Sequence, residues 1–350
     1  MPNFMTTTLA RIRSAFSRRE DSVTNTEMPA ALLVQHAAPP QFQQRAIPTR
    51  GAGQALVKVA AAPISPLDLL CASGRSYFGA PALPYIPGVQ GVGTVVEGET
   101  LKAGQRIWFN SDAGMKPGDG SMAAYCVIPE ANALTLPDGV SDEAVASLGL
   151  SAIAAWMALT WRGKLQPGEQ VLVLGASGAV GQVAVQAAKL LGARRVIAAS
   201  RDQAALARGL TRGADATVDL TGDEVDDIYH RMMDACEGPL NLVIDPIWGL
   251  PAEAAGRALG MEGRLVNIGS SSGPMARFES ATVRSRLHNI IGYTNNALSS
   301  EQKAEALTTI LGHAATGKII VEHEVMPLSR AGEAWELQAA FARKKLILVP

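Results

Sequence analysis

Between Gly53 and Thr135 the apolar residues come in short runs, Ala55–Val59, Gly93–Glu97, Arg106–Phe109 and Ala124–Ile128, each closed off by Gly, Pro or Asn. Runs of this length, rich in Val and Ile and bounded by turn formers, predict short strands. A similar run opening at Met28 predicts the first of them. Beyond residue 150 the pattern alternates instead. Val171–Leu174 reads as a buried strand, Gln182–Leu191 carries apolar residues at helical spacing, Val196–Ala199 is again strand-like, and Gln203–Gly213 is helical. Further strands are predicted at Ala216–Val218, Leu242–Ile244 and Arg264–Ile268. Strands that alternate with helices imply a parallel sheet covered on both faces. The C-terminal part predicts a helix over Ser300–Thr316, a strand over Ile319–Val325 and a helix around Ala331–Ala342.

Proline sharpens the division. Of the 20 prolines, 12 lie between Met28 and Pro137, whereas residues 151–238 hold only Pro167. Because proline removes a backbone donor and breaks helices, the first stretch is expected to be strands and turns and the second regular helix and strand. The expected organisation is a tail over residues 1–27, a mostly β domain over 28–150, and an α/β domain with a doubly wound parallel sheet over 151–295.

Composition narrows the function classes. A chain of 350 residues with 47% apolar content exceeds the usual size of one hydrophobic core, which favours two domains. With 31 basic against 32 acidic residues and a net charge of −1, no nucleic-acid footprint is visible. The charge-free stretches Val145–Trp161 and Val171–Ala188 are interrupted by Gly, Ser, Thr or Gln and do not read as membrane spans. Three scattered cysteines, Cys71, Cys126 and Cys236, make no disulfide framework, so the chain reads as cytoplasmic. Arg11, Arg13, Arg18 and Arg19, with no acid before Glu20, give the tail the composition of an organellar transit peptide; a loose bacterial tail is the plainer reading.

The candidate chemistry begins at Gly175-Ala176-Ser177-Gly178-Ala179-Val180-Gly181, which follows a hydrophobic strand and opens a helix. Glycines allow a tight turn and close approach of backbone to a pyrophosphate, and a helix N-terminus offers free N–H groups with a partial positive charge. The second strand ends on Ser200 and Arg201, where an acid would accept from the ribose of NAD. A hydroxyl and a guanidinium suit the 2′-phosphate of NADPH, while Asp202 would take the NAD role if that strand ran two residues longer. None of the cysteines forms a C-x-x-C pair, and His36, His230, His288, His313 and His323 show no ligand spacing, so no metal site is expected.

Taken with Leu83-Pro-Tyr-Ile-Pro-Gly88 and Gly292-Tyr-Thr-Asn295, these features resemble the medium-chain dehydrogenase/reductase superfamily from about Met28 to Pro350, and within it the zinc-free quinone oxidoreductase and enoyl reductase branch. The resemblance implies a GroES-like barrel completed by residues 296–350, a cleft between the two domains, and a homodimer. It places Ile268, Gly269 and Tyr293 among the cofactor contacts. Where zinc-bearing relatives carry ligands, this chain has Ser65, Val89 and Gln90. The family's Asn-Pro-x-Asp segment is matched by Ser65-Pro66-Leu67-Asp68, with Leu70 in place of a tyrosine, Tyr77 close to a second one, and Ala154 in place of a threonine.

Ser65, Asp68 and Tyr77 are thus the catalytic candidates, each with a plainer alternative: Asp68 as a helix cap, Tyr77 as packing under the proline-rich loop. Asp245 is read as shaping a loop, Met232 and Met233 as helix packing. The expected activity is NADPH-dependent, zinc-independent reduction of a quinone or an α,β-unsaturated carbonyl. Two other readings are an NADPH-binding protein without turnover and a zinc alcohol dehydrogenase.

Overall fold

The computed structural model describes residues 26–340 and 344–350, so residues 1–25 of the expected tail lie outside the described residues. The first lobe opens with the antiparallel pair β1 (Glu27–Leu32) and β2 (Gln41–Ala46) and continues through β3 (Gln54–Pro63), α1 (Pro66–Ala72), β4 (Gln90–Glu97), β5 (Arg106–Asn110), β6 (Tyr125–Pro129) and β7 (Ala133–Thr135). All four strand runs read from the apolar pattern lie in β3 to β6. A long helix, α2 (Asp142–Met157), leads into the second lobe, in which β8 (Gln170–Val173), α3 (Ala179–Leu190), β9 (Arg195–Ser200), α4 (Gln203–Thr211), β10 (Ala216–Asp219), α5 (Val225–Ala235), β11 (Leu240–Asp245), α6 (Leu250–Ala258), β12 (Leu259–Asn267), α7 (Ser280–Ser285) and β13 (Asn289–Gly292) follow in turn. The chain then runs through α8 (Ser300–Ala315), β14 (His323–Pro327), α9 (Ala331–Ala339) and β15 (Lys345–Val349).

Two sheets carry the architecture. In the second lobe six parallel strands stand in the order β10-β9-β8-β11-β12-β13, the doubly wound arrangement. The first lobe holds the order β14-β15-β3-β4-β5-β7, with β6 also on β3, so the two strands nearest the C-terminus complete a sheet that β3 begins, Ile347 lying opposite Pro63. One core lies inside the first lobe around Phe109, Met122, Ile86 and Ile128. The others pack α3 and α8 on one face of the parallel sheet and α5 and α6 on the opposite face.

Two elements add to the sequence reading. The stretch Val145–Trp161, not read as a membrane span, forms most of α2 and of its π-helical extension Ala158–Arg162. By length and composition Asp142–Arg162 could cross a bilayer, but 67% of its most apolar window is buried inside the protein. It is apolar on every side because it packs against both lobes, so no polar stripe marks its period. Gly149 interrupts it at φ 32°, ψ −129°, which places a kink beside residue 150. The strand expected over Ile319–Val325 begins only at His323; the residues before it bond instead to side chains of α3.

Candidate active site

The glycine turn joins β8 to α3 at the carboxyl edge of the parallel sheet. Gly175 sits at φ 62°, and a Cβ there would meet Ile247 at 2.7 Å, so the first glycine is required both by its conformation and by the loop after β11. Gly181 is required by its own chain: a Cβ would lie 2.3 Å from the Gly175 carbonyl oxygen. Gly178 is different. It is exposed, its backbone is ordinary extended chain (φ −75°, ψ 162°), and a Cβ would meet nothing closer than the Gly175 oxygen at 3.6 Å. Its missing side chain therefore serves no internal packing.

Gly178 is also the N-cap of α3, and no side chain caps that helix. The first N–H groups of α3, on Ala179 and Val180, consequently face outward as donors with the helix dipole behind them. The Ala176 N–H donates to Ala199 O at 2.9 Å and holds the turn against the end of β9. There Ser200 is buried and accepts from the Asp202 N–H at 3.1 Å, while Arg201 is exposed. Asp202 caps α4, accepting from Ala204 and Ala205 at 2.9 and 3.2 Å. The strand ends where Ser200 does, and Asp202 stands beyond it as a helix cap.

The remaining cofactor candidates gather at the same edge. Ile268 donates its N–H to Asp245 O at 2.7 Å, a Cβ on Gly269 would lie 2.8 Å from Pro246 O, and the Tyr293 N–H donates to Asn267 O at 2.9 Å. Asp245 is fully buried and accepts from the Ile247 and Trp248 N–H groups at 3.0 and 2.8 Å; burial pushes its carboxyl up, against those hydrogen bonds. It shapes a loop in which Trp248 sits at φ 59°, an uncommon conformation for a bulky residue. Met232 is packed in the core of α5, whereas Met233 is 41% exposed.

The three catalytic candidates separate. Ser65 and Asp68 come together as a capping box at the start of α1: the Asp68 carboxylate accepts from Ser65 N at 2.8 Å and Ser65 Oγ at 2.6 Å, and from the N–H groups of Gly88 and Val89 at 3.1 and 2.9 Å. Both residues are buried, and these four bonds occupy the carboxylate. Burial raises the Asp68 pKa; the hydrogen bonds and the charge of buried Lys345 oppose it. Burial in turn lowers Lys345 to about 8. Tyr77 is 74% exposed on the loop after α1, its ring against Phe78 at 4.2 Å. A phenol so placed lacks the dry, oriented setting that proton donation requires.

Two residues carry more than the sequence pattern discloses. Gln90 is fully buried, and its Oε1 accepts from Trp108 Nε1 at 3.1 Å and from the Leu150 N–H that the α2 kink sets free, at 2.8 Å. Asn295 takes the other backbone group of the same residue, donating to Leu150 O at 3.0 Å while accepting from Tyr293 Oη at 2.5 Å. The kink is thus held from both lobes. No local signal could reveal this, since the partners lie 60 and 145 residues apart.

A metal ion finds poor support. Val89 offers no donor, Ser65 Oγ is committed to Asp68, and Gln90 Oε1 already takes two N–H groups. Among the described residues no three His, Cys, Asp or Glu side chains cluster to hold a metal. The cysteines are burdened by burial as well: Cys71 is pushed up to about 11, and Cys126 and Cys236 are also raised.

A doubly wound sheet with an uncapped glycine turn at its switch point, flanked by a β lobe that the chain's last two strands complete, defines a two-lobe nucleotide-binding oxidoreductase fold. Residues 51–138 match the family model for the alcohol dehydrogenase GroES-like domain, and residues 179–311 that for zinc-binding dehydrogenase. The chain is similar to a zinc-type alcohol dehydrogenase-like protein of Schizosaccharomyces pombe, 30% identical over 79% of this chain and 81% of that one. It is similar also to quinone oxidoreductase-like protein 2 of Mus musculus, 30% identical over 71% of this chain and 69% of that one. Among solved structures, a Pseudomonas syringae quinone oxidoreductase superimposes with a TM-score of 0.81 at 23% identity, covering 92% of this chain and 100% of the other. A mycobacterial protein complexed with NADPH does so at 0.81 and 22%, with the same coverage. The chain belongs to the medium-chain dehydrogenase/reductase superfamily, with a GroES-like lobe and a Rossmann lobe, and its relatives include quinone oxidoreductase-like and zinc-type alcohol dehydrogenase-like proteins.

Proposed function

We propose that this protein is an NADPH-dependent reductase that acts on a quinone or an α,β-unsaturated carbonyl without zinc. The observation that carries the reading is the open space over Gly178 at the uncapped N-terminus of α3, a cradle that a Cβ would fill and that none of the described residues occupies. In it the N–H groups of Ala179 and Val180 would hold the pyrophosphate, with Ser200 and Arg201 at the 2′-phosphate and Ile268, Gly269 and Tyr293 along the sheet edge. Asp202, spent on α4, leaves no acid at the strand end for the NAD ribose, which supports NADPH over NADH.

NADPH, when bound, supplies hydride to the electrophilic carbon of the acceptor. The chain orients the acceptor and excludes water, work to which the braced α2 kink and the buried first-lobe wall are suited. Ser65 and Asp68 act structurally, holding the Gly88–Val89 backbone where zinc-bearing relatives place a ligand. The proposed cytoplasmic homodimer agrees with this activity and adds no residue to the argument.

The closed Ser65–Asp68 pair and the exposed Tyr77 also favour a second reading, NADPH binding without turnover. One experiment separates them: NADPH absorbance is followed against quinones, enones, enals and simple ketones, before and after exhaustive chelation. Chelator-resistant oxidation with a quinone or enone is expected. Binding without oxidation on any acceptor would select the second reading, and activity lost with stoichiometric zinc would refute the zinc-free mechanism.

A further inference from the structure

The phosphate turn is tied to the first lobe by two glutamines of α3 that face the segment before β14. Gln182 and Gln186 stand one helical turn apart, beside Val185 and away from the Val183–Ala184–Ala187 face. Gln186 pairs with Ile320 as another strand would: its Oε1 accepts from Ile320 N at 3.0 Å and its Nε2 donates to Ile320 O at 2.8 Å. Gln182 accepts from Glu322 N at 2.9 Å with its Oε1, but its Nε2 turns the other way and donates to Ser177 O at 2.9 Å, inside the glycine turn. From α4, Arg212 adds a bond to Ile320 O at 3.1 Å and an ion pair to Glu322. The clamped residues run directly into β14, which pairs with β15 and through it with β3 of the first lobe.

We propose that Gln182 is a positioning residue that couples the phosphate turn to the first lobe, with Gln186 as the structural half of the same clamp. Without Gln182 the Ser177 carbonyl would lack that partner and could rotate toward the space above Gly178, where its negative end would oppose a phosphate. Bonded to Gln182, it is drawn back against the helix and leaves that space to N–H groups. The same amide reports the position of Glu322, so the set of the turn and the seating of the first lobe are linked through one side chain. This inference rests on the turn being a dinucleotide site.

The test compares Gln182→Met, Gln182→Glu and Gln186→Met with the unmodified protein by NADPH fluorescence titration, thermal unfolding, and hydrogen exchange of residues 175–181 in the absence of ligand. Gln182→Met is expected to weaken NADPH about three- to tenfold, the effect of one net hydrogen bond, and to speed exchange in the turn. Gln182→Glu keeps the acceptor for Glu322 but loses the donor to Ser177, and is expected to weaken NADPH at least as much with a smaller loss of thermal stability. Gln186→Met severs the same segment without touching the turn: its midpoint falls while NADPH affinity stays within about twofold. Unchanged affinity in both Gln182 variants, or an equal loss in Gln186→Met, would overturn the proposal. Failure of the unmodified protein to bind NADPH would overturn the dinucleotide reading itself, and turn exchange unaltered by Gln182→Met would then overturn the clamp independently.

Discussion

Replacing Gly178 by Val asks whether the space over the turn belongs to a ligand or to nothing. The backbone at 178 lies in the extended region open to any L-residue, and the nearest atom to a new Cβ is 3.6 Å away, an ordinary contact. The folded state therefore loses little: an apolar residue at an N-cap costs about 1 kcal/mol, or roughly 1–2 °C in midpoint for a chain this long. Binding should lose far more. A valine side chain would stand where the pyrophosphate meets the first N–H groups of α3, removing two charge-assisted hydrogen bonds of about 1.5–3 kcal/mol each, or between about a hundredfold and ten-thousandfold in affinity. Fluorescence titration with NADPH beside a thermal melt reads both quantities on one sample. Gly181→Ala is the internal contrast, since its Cβ would lie 2.3 Å from a backbone oxygen and should lower stability first. A Gly178→Val protein that binds NADPH as tightly as the unmodified one would refute the argument, whatever its stability.

Arg201→Ala is expected to cost NADPH at least about tenfold more affinity than NADH, measured by parallel titrations, because only NADPH presents a 2′-phosphate to the guanidinium; equal losses would remove Arg201 from the site. Tyr77→Phe is expected to change kcat by less than about threefold, as its exposure implies, whereas a true general acid would show about 10²–10⁴-fold in steady-state assays. Burial raises the Cys71 pKa to about 11, with the Asp68 charge adding to it, so at pH 8 the group remains a thiol. Cys71 and the similarly buried Cys126 should resist alkylation in the native protein and react fully once it is unfolded, a contrast that mass spectrometry of the alkylated chain reads directly.

The glycine turn was legible because every feature that makes it work is local: an all-apolar strand, three glycines and a helix within twenty residues. The end of β9 at Ser200 was legible for the same reason, whereas the sequence left open whether the strand reached Asp202, whose place as the α4 cap only the structure supplies. The α2 helix was hidden by its own burial, since a helix wrapped by both lobes shows no polar face. Likewise, Gln182 in sequence is only a polar residue in a helix; its role depends on Glu322, 140 positions away. The pairing of Ser65 with Asp68 shows how a matched motif can be satisfied internally, with the residues in the family's positions and their donors and acceptors turned on one another.

The pairing of β15 with β3 also has a consequence for how the chain is made. Ile347 lies opposite Pro63 and Leu348 opposite Ala62, so the far end of the β3 edge that β6 otherwise covers waits on the ribosome until the entire Rossmann lobe has emerged. During that interval the first lobe carries a short unpaired strand end of the kind that recruits chaperones or aggregates. Synthesis slowed before residue 345 would therefore leave both that end of β3 and β14 without their common partner.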